Sequence, residues 1–178
     1  EELSRASLAG AGSPLTRPEI AARAIVAGGY EPQKSKWLPG IAVGKPLVAI
    51  SVTEPDCGSD VAAVRLRATR MVGGWRLDGA KTWCTFAGKS SLLLVLARTD
   101  PDLSKAHRGL SLFLVEKDAT DEKTFEVNQS GGGKLSGRAI PTIGYRGMHS
   151  FTLFFDGFFV PEENLVGGPD GEGRGFYL

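Results

Sequence analysis

The chain has 178 residues, 42% hydrophobic and 23% charged, with a net charge of +1 and a pI of about 8.0. That length encloses one good core and a small appendage, and the near-neutral balance gives no electrostatic reason to expect nucleic acid or an acidic membrane as partner. Two cysteines, Cys57 and Cys84, make neither a disulfide framework nor a metal-ligand set, so no metal site is expected. No apolar run reaches membrane-spanning length and no signal peptide opens the chain, which predicts a cytoplasmic protein with reduced, packed thiols.

Residues 1–15 are rich in Ser, Ala and Gly and read as a frayed end. Thr16-Arg17-Pro18-Glu19 has the pattern of a capping box, with Thr16 as N-cap. Ile20, Ala24 and Ala27 then mark the buried side of a helix that Gly28-Gly29 ends. A second short helix is predicted from Pro32 to Leu38, stopped by Pro39-Gly40. Two short helices cannot enclose a core, so residues 1–46 read as the end of a helical domain.

From Leu47 the pattern changes to strands. Val64, Leu66 and Ala68 alternate with Arg65, Arg67 and Thr69, as in a half-buried strand. Val72-Gly73-Gly74 predicts a hairpin turn into Trp75–Asp78. Ser91–Ala97 and Leu110–Val115 are almost continuously apolar and read as central strands separated by the polar loop Asp100–Arg108. Phe125 and Val127 alternate with polar neighbours. Gly131-Gly132-Gly133-Lys134 lacks the glycine at 128 and the Ser or Thr at 135 of a phosphate loop, and reads as a hairpin tip. Ser150–Phe155 and Phe158–Val160 predict two more strands around a turn or bulge at Asp156-Gly157. The expected fold is mainly β: an antiparallel β-barrel or sandwich-like domain over 47–166, preceded by two short helices and followed by a linker at 167–178.

Two stretches carry chemistry. Ile50–Asp60 leaves a strand through Thr53-Glu54-Pro55 and reaches Gly58-Ser59-Asp60, offering backbone N–H groups, a hydroxyl and a glycine that admits close approach. In Lys81-Thr82-Trp83-Cys84-Thr85, an extended backbone would put Trp83 and Thr85 on one face. A flat aromatic beside a hydroxyl suits a planar, heteroatom-rich ligand. It equally suits a core tryptophan beside a strand threonine.

Together, Val52-Thr53-Glu54-Pro55-x-x-Gly58-Ser59-Asp60 and Lys81-x-Trp83-x-Thr85 closely resemble the acyl-CoA dehydrogenase family. Gly29–Pro39, Ile143–Gly147 and Phe155–Leu165 extend the resemblance over most of the chain. It implies the family's middle β domain, with the end of the helical domain before it and the start of a C-terminal helical bundle after it. It also implies FAD: Val52 and Thr53 at the flavin ring edge, Ser59 at the pyrophosphate, Trp83 against the isoalloxazine and Thr85 near N5. The implied reaction is α,β-desaturation of an acyl-CoA. Its carboxylate base is expected from the absent bundle, so no catalytic residue is assigned here and Glu54 is read as part of the loop. The isolated chain is expected to be inactive.

An electron-transferring flavoprotein as acceptor and a homotetramer are implied for the full-length enzyme. The long Asn128–Ile140 segment, Gly144–Met148 and Arg98–Asp102 are similar to methylsuccinyl-CoA dehydrogenases, whose substrate carries a free carboxylate. Arg146 stays open between a substrate cation, a turn residue and a cofactor contact. Two alternatives remain, an acyl-CoA oxidase of the same fold and a non-enzymatic β-barrel binding module. Neither His107 nor His149 supports a metal site.

Overall fold

The computed structural model describes residues 5, 6, 8–144 and 148–178. Among the described residues, the helices α1 (Leu8–Gly28) and α2 (Glu31–Ala42) precede eight strands. These are β1 (Val48–Ser51), β2 (Arg67–Met71), β3 (Gly74–Thr85), β4 (Leu92–Arg98), β5 (Leu110–Glu116), β6 (Thr124–Asn128), β7 (Lys134–Ala139) and β8 (Ser150–Pro161). They form one curled sheet in the order β1-β4-β2-β3-β8-β7-β6, with β5 on the other edge of β4. The fold is thus mainly β and mostly antiparallel, and it is one sheet rather than a sandwich of two. Two pairings depart from antiparallel: β1 lies parallel to β4 from Val48↔Leu92 to Ser51↔Val95, and β2 meets the same edge further on at Arg67↔Arg98.

The continuous apolar runs have a simple cause. Leu93, Val95, Ala97, Phe113 and Val115 enter the core inside the curl, whereas Leu92, Leu94, Leu96, Leu110, Leu112 and Leu114 enter a second core under the helices. β4 and β5 are therefore buried on both faces, which period 2 requires to be apolar throughout. β6 shows the opposite case, with Phe125 and Val127 half-buried between exposed Thr124, Glu126 and Asn128. The two-residue turn at Val72-Gly73 joins β2 to β3, with Gly73 at φ +77°, a conformation only glycine adopts cheaply.

Several local expectations are corrected. α1 runs through Thr16, which is therefore not an N-cap; the alanine-containing run upstream carries the helix past the local capping signal. Ile20 and Ala27 are exposed, and Ala21, Ala24 and Ile25 form the buried face. α2 continues to Ala42 with Pro39 inside it, near the end where the missing N–H forfeits one bond. Ser150–Pro161 is a single strand: the register against β3 shifts between Leu77↔Phe158 and Gly79↔Phe155, so Asp156-Gly157 is a bulge, closed by Gly157 N donating to Asp78 Oδ1 at 2.9 Å. Residues Tyr145, Arg146 and Gly147 lie outside the described ones.

After β8 the chain returns over β5. Val166 N donates to Leu112 O and Gly173 N to Ser111 Oγ, and Leu178 joins the helix-side core against Gly28. Gln33, 3% exposed on α2, clasps this return: Nε2 donates to Glu163 O (2.8 Å) and Leu165 O (2.7 Å), and Oε1 accepts from Gly167 N (3.1 Å).

Candidate functional site

Four of the five residues assigned to a cofactor converge. Val52, Thr53, Trp83 and Thr85, with Ile20, Ile50 and Thr82, line one open recess of about 230 Å³. β1 delivers Ile50 and, just past its end, Val52 and Thr53; β3 delivers Thr82, Trp83 and Thr85, and α1 closes one side with Ile20. Ser59 is exposed on the loop beyond and is not among the lining residues.

The geometry of β3 differs from a plain extended strand. Its register against β8 shifts between Lys81↔Leu153 and Cys84↔Phe151, so Thr82-Trp83 is a bulge. Trp83 has φ +56°, an outlier for a bulky residue, and its indole is 57% exposed. Period 2 therefore does not set the faces of Trp83 and Thr85; the bulge does. A core tryptophan is excluded by that exposure. The core tryptophans are Trp37 and Trp75, and the Nε1 of Trp75 is buried without a hydrogen-bond partner among the described residues.

The bulge is tied to the loop opposite. Thr82 N donates to Thr53 O at 2.8 Å, Thr82 Oγ1 meets Thr152 Oγ1 at 3.3 Å, and Thr85 Oγ1 meets Ser150 Oγ at 2.9 Å. The loop itself turns tightly, with Glu54 N donating to Cys57 O and Cys57 N to Glu54 O. Behind it lies a buried ion pair. Glu54 Oε1 accepts from Leu66 N (2.7 Å) and Lys81 Nζ (2.9 Å), and Oε2 accepts from Arg65 N (2.7 Å). Lys81 Nζ also donates to Val52 O at 2.8 Å. Burial pushes the Lys81 ammonium below its ordinary value, and the Glu54 carboxylate pulls it back up. Glu54 is thus part of the loop structure, as its position in the motif suggests. The sequence offered no signal for the role of Lys81; a lysine in an alternating strand reads as a surface residue.

Arg98 holds the far end of the same segment, its guanidinium donating to Val64 O (2.9 Å), Ala62 O (2.6 Å) and Ala106 O (3.2 Å). Both cysteines are free. Burial raises the Cys57 thiol, helped by the Glu54 charge, and raises Cys84 to about 11, partly offset by the Ser51 hydroxyl. Both stay protonated at neutral pH and neither is a ready nucleophile. His107 stacks on Phe176 at 4.6 Å. Among the described residues no group of His, Cys, Asp and Glu could hold a metal ion, and no helix is long and apolar enough to cross a membrane.

The chain was compared with known proteins. The family model for the acyl-CoA dehydrogenase middle domain matches residues 49–158. A (2S)-methylsuccinyl-CoA dehydrogenase of Cereibacter sphaeroides is 44% identical over 97% of this chain and 30% of its own length. An acyl-CoA dehydrogenase structure from Geobacillus kaustophilus is 34% identical with a TM-score of 0.71, covering 87% of this chain and 37% of that one. The FAD complex of PigA is 27% identical with a TM-score of 0.70, covering 86% and 36%. The chain therefore spans roughly a third of the length of these relatives. On this likeness of sequence, strand arrangement and motif, the chain belongs to the acyl-CoA dehydrogenase family.

Proposed function

We propose that this chain is the flavin-holding β part of an FAD-dependent acyl-CoA dehydrogenase that desaturates an acyl-CoA thioester between its α and β carbons. The observation that carries the reading is the convergence of Val52, Thr53, Trp83 and Thr85 on one recess. The donor set fits a flavin. An exposed indole offers a flat apolar surface, two threonine hydroxyls and the main chain at Val52-Thr53 offer hydrogen bonds to ring heteroatoms, and no charge intrudes among the lining residues. Val52 and Thr53 would hold the ring edge, Thr85 the N5 side and Trp83 the ring face, with Ser59 reaching the pyrophosphate from the loop.

Bound FAD supplies hydride acceptance. This chain's residues bind and orient it. The Thr85 hydroxyl is held in place by Ser150, and with Ser150 as the donor in that pair Thr85 is free to donate to the ligand; a preorganised donor stabilises developing negative charge most effectively. The described lining contains no carboxylate, and Glu54 turns inward to Lys81. We assign the base that removes the α-proton to a carboxylate elsewhere in the whole protein. The 44% identity to the Cereibacter enzyme favours a methylsuccinyl-CoA-like substrate, and an electron-transferring flavoprotein is the acceptor this chemistry calls for.

The test is the visible spectrum of the whole protein before and after anaerobic addition of methylsuccinyl-CoA, with butyryl-CoA as comparison. Bleaching by methylsuccinyl-CoA alone supports both the chemistry and the substrate. Bleaching by butyryl-CoA alone keeps the chemistry and removes the substrate. A colourless protein that takes up no FAD sinks the proposal.

A further inference from the structure

Lys81 is fully enclosed, 0% exposed, on the strand that carries Trp83 and Thr85, and it is bonded to the carbonyl of Val52, which lines the recess. Its ammonium bridges two groups of the opposite loop, the Val52 carbonyl and the Glu54 carboxylate. Burying two ions costs several kcal/mol of hydration each, offset here by their mutual bond and by the backbone groups each also satisfies, Arg65 N and Leu66 N on Glu54 and Val52 O on Lys81. The pair also touches the peptide that faces the recess. By drawing on Val52 O, Lys81 polarises the Val52–Thr53 peptide and fixes its plane.

We propose that Lys81 and Glu54 are a positioning pair for the flavin, which aligns the Val52–Thr53 peptide and sets the electrostatic potential under the ring. The inference rests on the flavin reading above. With both charges present their fields largely cancel at the recess. Each alone has a definite sign, because little water screens a buried charge. An unpaired Glu54 carboxylate disfavours electron uptake by a ligand in the recess, and an unpaired Lys81 ammonium favours it.

The experiment uses the whole protein loaded with FAD, as wild type, Lys81→Met, Glu54→Gln and the double variant. The bound flavin's midpoint potential is measured by reductive titration against a reference dye, with FAD affinity and melting of the apo forms followed alongside. The expected result is a more negative potential for Lys81→Met, a double variant close to wild type, and for Glu54→Gln a more positive potential that fades as pH rises and Lys81, no longer held up by the carboxylate, gives up its proton. FAD affinity falls in Lys81→Met and in the double variant, which both lose the bond to Val52 O, and falls less in Glu54→Gln. Lys81→Gln, which keeps a donor for Val52 O, replaces the methionine variant if that protein does not fold, with the same expected sign. Single variants that shift the potential in the same direction, or not at all, overturn the inference and leave the pair as a pin of the loop. A wild type that binds no FAD overturns the functional reading itself, and the pair's role with it.

Discussion

Gln33 is the most informative residue to remove for stability. It is 3% exposed, and its amide makes three bonds to the chain leaving β8: two donated to Glu163 O and Leu165 O, one accepted from Gly167 N. Gln33→Ala leaves Gly167 N without its acceptor and takes one donor from each carbonyl, while Leu165 O keeps Gly168 N (2.8 Å) and Glu163 O keeps Tyr30 Oη (3.4 Å). The unsatisfied N–H costs about 1–3 kcal/mol and each bond lost to a carbonyl that keeps another donor about 0.5–1.5 kcal/mol, so the loss is about 2–6 kcal/mol, at the low end where water reaches the N–H. Urea unfolding of wild type and variant reads this directly, with an unchanged slope showing that only stability moved. Gln33→Glu sharpens the test. Its carboxylate would face two carbonyls at neutral pH, whereas the protonated acid can donate to one of them. Its folded pKa should lie above the unfolded value of about 4.3, so the variant gains stability as pH falls towards that value and loses it as pH rises through the folded one. A loss under about 1 kcal/mol for Gln33→Ala, or a Gln33→Glu variant insensitive to pH, would refute the reasoning.

Gly137→Ala would set a Cβ 2.2 Å from Phe125 Cε1 and 2.4 Å from Cζ; overpacking should cost about 1–3 kcal/mol in denaturant unfolding, and Phe125→Leu should recover part of it. Trp83→Gly relieves about 1–3 kcal/mol of strain at φ +56° while giving up the burial of a half-exposed indole. Apo stability should stay within about 1 kcal/mol of wild type by the same balance, whereas FAD uptake by the whole protein should drop sharply in a fluorescence titration. Burial lowers Lys117 from 10.5 to about 8, so the unfolded chain binds more protons than the native one between those values. Stability attributable to this group therefore rises with pH across that window, and the difference between wild type and Lys117→Met in pH-dependent unfolding should show it.

The sequence was legible where one physical cause dominated. β4 and β5 were readable because burial on both faces leaves a continuous apolar run, and the Val72-Gly73 turn because only glycine takes its φ cheaply. Glu54 was readable as loop structure, and the four recess residues as a group, through their motif. Failures came where distant residues override a local pattern. The capping signal at Thr16 is overrun by helix on both sides of it. The Trp83–Thr85 alternation is broken by a bulge whose cause lies across the sheet, in the pairing of β3 with β8. The parallel placement of β1 beside β4 leaves no trace in either strand, because parallel and antiparallel neighbours demand the same apolar residues there. Lys81 and Gln33 look like surface polar residues; their partners are 27 and 130 or more positions away.

The recess and its support divide the work between opposing demands. A binding surface for a flat ring must leave a large aromatic unpacked and in a conformation most side chains avoid, and both features of Trp83 weaken the apo fold. That conformation persists only if its neighbours over-determine it. Here Thr82 is held on one side by Thr53 O and on the other by Thr152, Thr85 is held by Ser150, and Lys81 is locked to Val52 and Glu54. Each residue flanking the exposed indole is anchored through its own bond to another element, and the cores on both sides of the sheet lie close behind. Rigidity is thus placed within two residues of the strained position on either side. A ligand entering the recess then meets a surface whose conformational cost was met on folding, which is where affinity for a planar cofactor is gained.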